Sequence, residues 1–407
     1  MPKLWRTAAL VLALLGLTGC PSLPKPASKV TPLPTFVPPT ERVAQAPGPP
    51  APAPLPSPPS LTTNFPVDGW VAFGKWSESA GLGRPERVPS GAGPTYELRT
   101  TNGVLALEVG TRAAQWNGLE CWLGFAPKLV ESEPLVHALD MRKNILPLLL
   151  APAVAPSTNR IVVIDPGHGG KNSGTTNIVN QRTEKEFTLD WAKRLRGLLA
   201  TNGWTVVLTR TNDAEVSLAD RVALAERVKA DLFVSLHFNS AFPKTDQAGL
   251  ETYCLTPTGL PSSLVRDFAD DPKSNFPNNA FDAQNLRLAL QLHAALVRGA
   301  KSADRGVRRA RFMDVLRGQK RPAVLIEGGY LSNPKEARLI ADPRYRQKLA
   351  VALADGLGGL LTAPGREAEA RAAQAAPRPA AAAPIPSSSV RGPVRTGPAA
   401  PTETYGR

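Results

Sequence analysis

The sequence predicts an α/β domain over residues 160–362, built on an open, mostly parallel sheet with helices on both faces, and a small β-rich module over residues 67–150 ahead of it. Three observations carry this expectation. Beyond residue 160, short continuous apolar runs alternate with stretches of helical periodicity, the rhythm of buried parallel strands joined by crossover helices. Between residues 67 and 147 the apolar runs are short and alternating, and pairs such as Asn102-Gly103 and Asn117-Gly118 separate them as hairpin turns do. The chain also holds 42 prolines in 407 residues, far above the usual ~5%, and they crowd into the two flanks, which therefore bury little.

The first residues read as an address. Lys3 and Arg6 precede the apolar run Ala8 to Leu17, too short to span a bilayer and right for a cleaved signal. Leu17-Thr18-Gly19-Cys20 follows it and resembles the lipobox of bacterial lipoprotein signal peptides. That resemblance implies that residues 1–19 are removed and that Cys20 is acylated. Each buried methylene of a lipid contributes ~0.8 kcal/mol, so a multiply acylated cysteine holds the chain to a membrane. The alternative is an ordinary signal peptide with a coincidental cysteine. On either reading the folded parts face the periplasm or cell wall.

Residues 20–66 alternate Pro with Ala, Ser and Leu, a composition that favours extended polyproline and suits a spacer. The tail, residues 363–407, is rich in Ala and Pro with scattered Arg, and reads as disordered. The formal charge is +14. For an exported chain this excludes nucleic acid as the expected partner and leaves anionic lipid head groups, wall polymers or plain solvation.

In the module, strands are expected at Trp70 to Phe73, Tyr96 to Arg99, Val104 to Val109 and Leu119 to Phe125. The order of Gly110 to Ala113, Trp116-Asn117-Gly118, Phe125-Ala126-Pro127 and Ile145 to Leu149 resembles, loosely, the N-terminal stalk-type domain of copper amine oxidases. A spacer without a ligand is one reading of this module and wall binding the other. His137 has no metal-like neighbours in sequence. The chain has three cysteines, too few for a disulfide scaffold, and Cys121 and Cys254 lie in apolar runs that fit buried, reduced thiols.

In the larger domain, strands are expected at Ile161 to Ile164, Thr205 to Leu208, Leu232 to Leu236, Leu250 to Leu255 and Val324 to Ile326. Helices are expected at Phe187 to Asn202, Leu218 to Val228, Gln284 to Ala300, and around Lys335 to Ile340 and Tyr345 to Leu361. Such sheets bind ligands beyond the carboxyl ends of their strands. Three of those ends carry chemistry: Asp165-Pro166-Gly167-His168-Gly169-Gly170, His237-Phe238-Asn239 and Glu327-Gly328-Gly329. Glu184 opens the first helix, where a Thr183–Glu186 capping box accounts for Glu186 and leaves Glu184 without a structural duty. Two imidazoles and a carboxylate suit a zinc ion with one position open to water. Each residue also has a plainer use: His168 in a turn, His237 as a hydrogen-bonded core residue, Glu184 at a helix dipole.

The motifs Ile164 to Gly170, Glu184-Lys185, Leu208-Thr209-Arg210, Ser235 to Ser240, Gly249 to Tyr253, Arg305-Gly306-Val307 and Ile326 to Asn333 together resemble the zinc-dependent N-acetylmuramoyl-L-alanine amidases of the amidase-3 type. The resemblance covers about residues 160 to 362. It implies Zn2+ held by His168, Glu184 and His237, and a catalytic Glu327. The implied reaction cleaves the amide between muramic acid and the L-alanine of the peptidoglycan stem, in wall remodelling or daughter-cell separation. The sequence departs from that pattern at Phe238, where Ala is usual, at Gly328, where a larger apolar residue often stands, and at Lys171 to Gly174, where an Asp-containing loop is common. A zinc peptidase with another crevice and a non-catalytic wall-binding or activator protein are the competing classes.

Two features stay apart from that pattern. His293 sits at helical spacing among Leu286, Ala289, Leu290, Leu296 and Val297, and reads as a partly buried packing residue. The stretch from Pro257 to Gln284, polar and broken by proline, is long for a connection, and it reads either as a lid on the crevice or as a passive surface insertion.

Overall fold

A computed structural model describes residues 65–66, 68–89, 93–149, 159–265 and 269–360. The signal segment 1–19, Cys20, nearly all of the proline-rich stretch 20–66 and the tail 363–407 lie outside the described residues. No helix among the described residues is long and apolar enough to cross a membrane.

The module begins with β1 (Trp70–Ala72) and α1 (Phe73–Ser79), followed by β2 (Glu86–Val88), β3 (Thr95–Thr100), β4 (Gly103–Glu108), β5 (Ala113–Trp116) and β6 (Leu119–Trp122). Next come β7 (Lys128–Val130) and β8 (Glu133–His137), then the helical stretch α2 (Ala138–Asp140), a π-helical turn Met141–Ile145 and α3 (Leu146–Leu149). The larger domain runs β9 (Ile161–Pro166), α4 (Glu184–Thr201), β10 (Thr205–Leu208), α5 (Leu218–Arg227), β11 (Leu232–Asn239) and β12 (Leu250–Leu255). It closes with α6 (Asp282–Ala300), β13 (Asp304–Ala310), α7 (Asp314–Arg317), β14 (Ala323–Tyr330), α8 (Pro334–Ala341) and α9 (Pro343–Gly358).

One sheet of eleven strands carries most of this, in the order β10-β9-β11-β14-β12-β13-β6-β5-β4-β3-β2. Strands β10, β9, β11 and β14 run parallel, as their buried apolar runs and crossover helices require. β12 is antiparallel to β14, β13 is parallel to β12, and β6 joins β13 through the pair Val307 and Cys121. β2 to β6 then form an antiparallel meander, with turns at Asn102-Gly103 and Asn117-Gly118 as their sequences anticipate. β1, β8 and β7 make a separate three-stranded sheet.

The module and the domain, separated in the sequence by a change of strand rhythm, therefore share a sheet and a core. Leu98, Leu105, Leu107 and Cys121 belong to the same buried cluster as Trp191 of α4, Leu288 of α6 and Leu353 of α9. The other face of the domain packs Val163, Phe233 and Leu325 against Ala225 of α5 and Leu316 of α7. Each large apolar side chain so buried contributes about 1.5–3 kcal/mol.

β13 escaped the sequence reading because Asp-Arg-Gly-Val-Arg-Arg-Ala offers few apolar residues. Its charges are matched across the sheet instead. Arg305 and Arg308 both meet Glu251 of β12, and the buried Arg309 donates to Asn144 Oδ1 at 2.9 Å. Cys121 and Cys254 are buried free thiols, and burial pushes Cys121 up to about 12. His293 is fully buried rather than partly so. Thr252 Oγ1 lies 3.0 Å from its Nδ1 and Asp304 Oδ1 2.8 Å from its Nε2, which makes it a polar brace between α6, β12 and β13.

The lid reading of the stretch from Pro257 to Gln284 does not survive the topology. Because β12 pairs Glu251 with Glu327 and Tyr253 with Leu325, the chain leaves Leu255 at the sheet edge opposite the one where His237 and Glu327 stand. The described part is fixed at that far edge. Asn278 Nδ2 donates to Arg321 O at 2.8 Å, Arg311 pairs with Asp270, and Arg112 of the module donates to Ser262 O at 3.1 Å.

Candidate metal centre

The site grows from the carboxyl ends of β9 and β11 and the amino end of α4. Beyond β9 the chain turns sharply, with Gly167 N–H donating to Leu236 O at 3.0 Å and His168 in the left-handed region at φ 62°. A non-glycine residue there is uncommon and marks a turn held by its surroundings. Two buried arginines hold it. Arg210 donates to Gly167 O at 2.8 Å and Pro166 O at 3.0 Å, and Arg221 donates to His168 O at 2.9 Å while pairing with the buried Asp165.

Gly167 is required by close approach, since a Cβ there would lie 2.2 Å from a ring atom of His237. Gly174, at φ 67°, is required twice over, because its Cβ would meet Glu184 Oε2 at 2.6 Å and His168 Cδ2 at 2.7 Å.

α4 starts as the capping-box pattern predicts, with Thr183 N–H donating to Glu186 Oε1 at 3.1 Å. This aims Glu184, only 4% exposed, at both histidines. Glu184 Oε1 lies 3.1 Å from His168 Nε2 and 3.0 Å from His237 Nδ1. It also accepts the Phe238 N–H at 3.1 Å, and Oε2 accepts the Thr175 N–H at 3.0 Å. Burial alone would raise the Glu184 carboxyl, but hydrogen bonds from His168 and His237 hold it well below its ordinary value. Burial would likewise lower His168, and the Glu184 carboxylate overrides it and raises it.

A ligand atom from each of His168, Glu184 and His237 lies within 4.8 Å of the other two. Tetrahedral zinc with bonds near 2.0–2.1 Å separates its ligands by about 3.3 Å, so this nitrogen and oxygen set is spaced for such an ion. Asn172 Oδ1 stands 2.8 Å from His168 Nδ1 and so orients the ring from behind. Glu327, 8% exposed, is outside this cluster and directly opposite His237 on the neighbouring strand. Its other strand neighbour is Glu251, whose carboxylate accepts Asn239 Nδ2 and Tyr253 Oη at 2.8 Å each and Arg305 Nε at 2.9 Å. Two half-buried histidines and a buried glutamate able to hold a metal, with a carboxylate on the neighbouring strand, are an arrangement for metal-assisted hydrolysis.

Residues 162–358 match the family described as N-acetylmuramoyl-L-alanine amidase, Amidase_3. The chain is 31% identical over 219 residues to the N-acetylmuramoyl-L-alanine amidase AmiA of Escherichia coli K12, covering 49% of this chain and 75% of that protein. It belongs to this amidase family. It is also 34% identical over 203 residues to the probable cell wall amidase LytH of Staphylococcus epidermidis, where the match covers 50% of this chain and 58% of the relative's length. Among solved structures it resembles the N-acetylmuramoyl-L-alanine amidase of Clostridium difficile 630, at 32% identity, 50% of this chain, 98% of that chain and a TM-score of 0.42.

The amidase match contains His168, Glu184, His237 and Glu327, and leaves the module and both flanks outside it. Sequence reasoning named these four and missed their supports. Asn172 stood in the loop noted as a departure from the amidase pattern. Arg210 and Glu251 lay within family motifs without a role, and Arg221 gave no signal, since its partners Asp165 and His168 are 56 and 53 residues away.

Proposed function

We propose that this chain is a zinc-dependent N-acetylmuramoyl-L-alanine amidase that hydrolyses the bond between muramic acid and the L-alanine of the peptidoglycan stem. The observation that carries the reading is the convergence of His168, Glu184 and His237 on one point, with Glu327 opposite His237 in register. A zinc ion held by those three residues supplies a Lewis acid for amide hydrolysis. Glu327 serves as the general base and acid: it accepts a proton from the attacking water and returns it to the leaving nitrogen of L-alanine. The C–N bond breaks, a C–O bond forms, and the products are a lactyl carboxylate on the glycan and a free amine on the stem. Asn172 keeps the His168 ring in orientation, and Arg210 and Arg221 keep its turn in place.

The same reading puts the enzyme outside the cytoplasm, tethered through a lipid on Cys20, and rests there on the lipobox-like run alone. Membrane fractionation of a Cys20→Ala variant tests the tether: release from the membrane is expected, and unchanged membrane binding contradicts it. Digestion of purified peptidoglycan tests the activity. Mass spectrometry should find intact stems with a free L-alanine amino group beside peptide-free glycan. Shortened stems with L-alanine still on muramic acid would make the protein a peptidase instead.

A further inference from the structure

Glu251 of β12 is paired in register with Glu327 of β14, so the two carboxyl side chains rise beside each other from one face of the sheet. Cβ atoms so placed are about 4.5–5.5 Å apart, and like charges directly opposite destabilise a sheet. Both residues are buried, so water screens the pair poorly. The two carboxylates also share a neighbour. Burial first, and then the charges of Glu251 and Glu327, push the Tyr253 hydroxyl well above its ordinary value.

Four donors converge on Glu251. Its Oε1 takes Arg305 Nε at 2.9 Å and Arg308 Nε at 3.1 Å, and its Oε2 takes Asn239 Nδ2 and Tyr253 Oη at 2.8 Å each. The two arginines are held differently. Arg308 is fixed from the module side as well, with its guanidinium 4.7 Å from the Trp122 ring centre and 3.9 Å from Glu120 Oε1. Arg305 reaches the other way, from β13 across β12 toward β14, where its guanidinium stands 5.2 Å from the ring centre of Tyr330. Tyr330 is three residues beyond Glu327 on the same strand. A cation therefore already lies against the strand that carries the proposed base, and the carboxylate that holds it is Glu251.

Packing alone does not call for a second acid at this position, since a like charge opposite Glu327 costs stability and an uncharged partner would not. Catalysis gives it a use. A general base must point at the water whose proton it takes. A carboxylate bound to a guanidinium is oriented by that pair instead, because the planar fork of arginine fixes the geometry of its partner.

We propose that Glu251 is a positioning residue for the reaction: it holds Arg305 on its own carboxylate and so keeps that cation from pairing with Glu327 and turning it from the attacking water. The reaction itself rests on the amidase reading; the competition of two acids for one cation does not. In the full chain, Glu251→Gln removes the charge and keeps the shape. Zinc content should stay at the parent level and kcat on a short muramoyl-peptide should fall about tenfold, with less than about a twofold change in KM. Adding Arg305→Gln takes away the displaced cation and should bring kcat back to within about threefold of the parent, whereas a packing role alone gives a further loss. Glu251→Asp keeps the charge but draws it back by one methylene, and it replaces Glu251→Gln where that variant folds poorly, with a smaller fall and the same recovery. Melting in the presence of a chelator needs neither metal nor activity. There Glu327→Gln should lower the melting temperature by about 2–4 °C more in the Glu251 variant than in the parent, because it removes the new partner of Arg305. An unchanged kcat in the Glu251 variant, loss of its zinc, no recovery on adding Arg305→Gln, or equal melting effects in the two backgrounds overturns the proposal. A parent protein that cleaves no muramoyl-peptide defeats the amidase reading alone, and the melting comparison then decides whether Glu251 keeps the cation from Glu327.

Discussion

Phe238 and Gly328 stand on neighbouring strands and share one packing space. A Cβ on Gly328 would stand 2.8 Å from Phe238 Cε1 and 2.8 Å from Trp191 Cζ3, so Phe238 and Trp191 fill the space that a side chain at residue 328 would take. Phe238 is 1% exposed and tilted against Trp191 at 5.3 Å, which makes this a matter of core packing rather than of substrate fit. Phe238→Ala should cost about 3–5 kcal/mol and Gly328→Ala about 1–3 kcal/mol. In the double variant the new methyl enters the vacated space, so the two costs should fall short of their sum by at least ~0.5 kcal/mol in denaturant titrations. Strict additivity would show that the residues do not share that space. Asn172 is the other single residue with a sharp expectation. Asn172→Ala frees the back of the His168 ring and should weaken zinc binding roughly 10–100-fold in competition with a chelator, while the fold stays intact.

At the scale of elements, the turn after β9 is held by Arg210, just beyond β10, and by Arg221 of α5, whose buried pair with Asp165 is its anchor. Arg221→Ala leaves Asp165 buried without that cation and should cost about 3–5 kcal/mol, with loss of metal binding at temperatures where the chain is still folded. The junction of β13 with β6 adds a pH dependence. Asp304 Oδ2 accepts the Glu120 N–H at 3.0 Å and Oδ1 faces His293. Burial pushes the Asp304 carboxyl up, but the His293 and backbone hydrogen bonds win and hold it below its ordinary value. A depressed carboxyl stabilises the fold above its unfolded value, near pH 4, and that contribution disappears as the pH falls through the lower folded value. Melting temperatures should therefore drop below about pH 4 in the parent and less steeply in Asp304→Asn. These are also the features hardest to see in the sequence. Strands such as Ile161–Pro166 and Leu232–Asn239 show themselves through their own apolar runs, and the four site residues through their place at strand and helix ends. β13 and the two arginines show nothing of the kind, because what fixes them is ion pairing or hydrogen bonding with residues that only the fold brings near.

For the molecule as a whole, the shared sheet and core make the module part of the enzyme's body. Cys121 faces Val307 across the seam, and the buried cluster runs from Leu98 to Leu353 without a break. Heating should therefore give one cooperative transition for residues 67–362, with calorimetric and van't Hoff enthalpies in agreement. Two separate transitions would show that the module is an independent spacer. The division drawn in the sequence near residue 150 follows the change from alternating to continuous apolar runs, a local signal that cannot report a strand pair between Cys121 and a residue almost two hundred positions later.

The most direct test separates metal binding from catalysis in one preparation. Glu327→Gln keeps the shape and hydrogen-bonding reach of the side chain but cannot take a proton. Zinc content by atomic spectroscopy should stay at the parent level, while release of stem peptides slows by about 10²–10⁴-fold. His168→Ala and His237→Ala should lose zinc and activity together. An active Glu327→Gln enzyme, or one that has lost its zinc, would contradict the division of labour between His168, Glu184 and His237 on one side and Glu327 on the other.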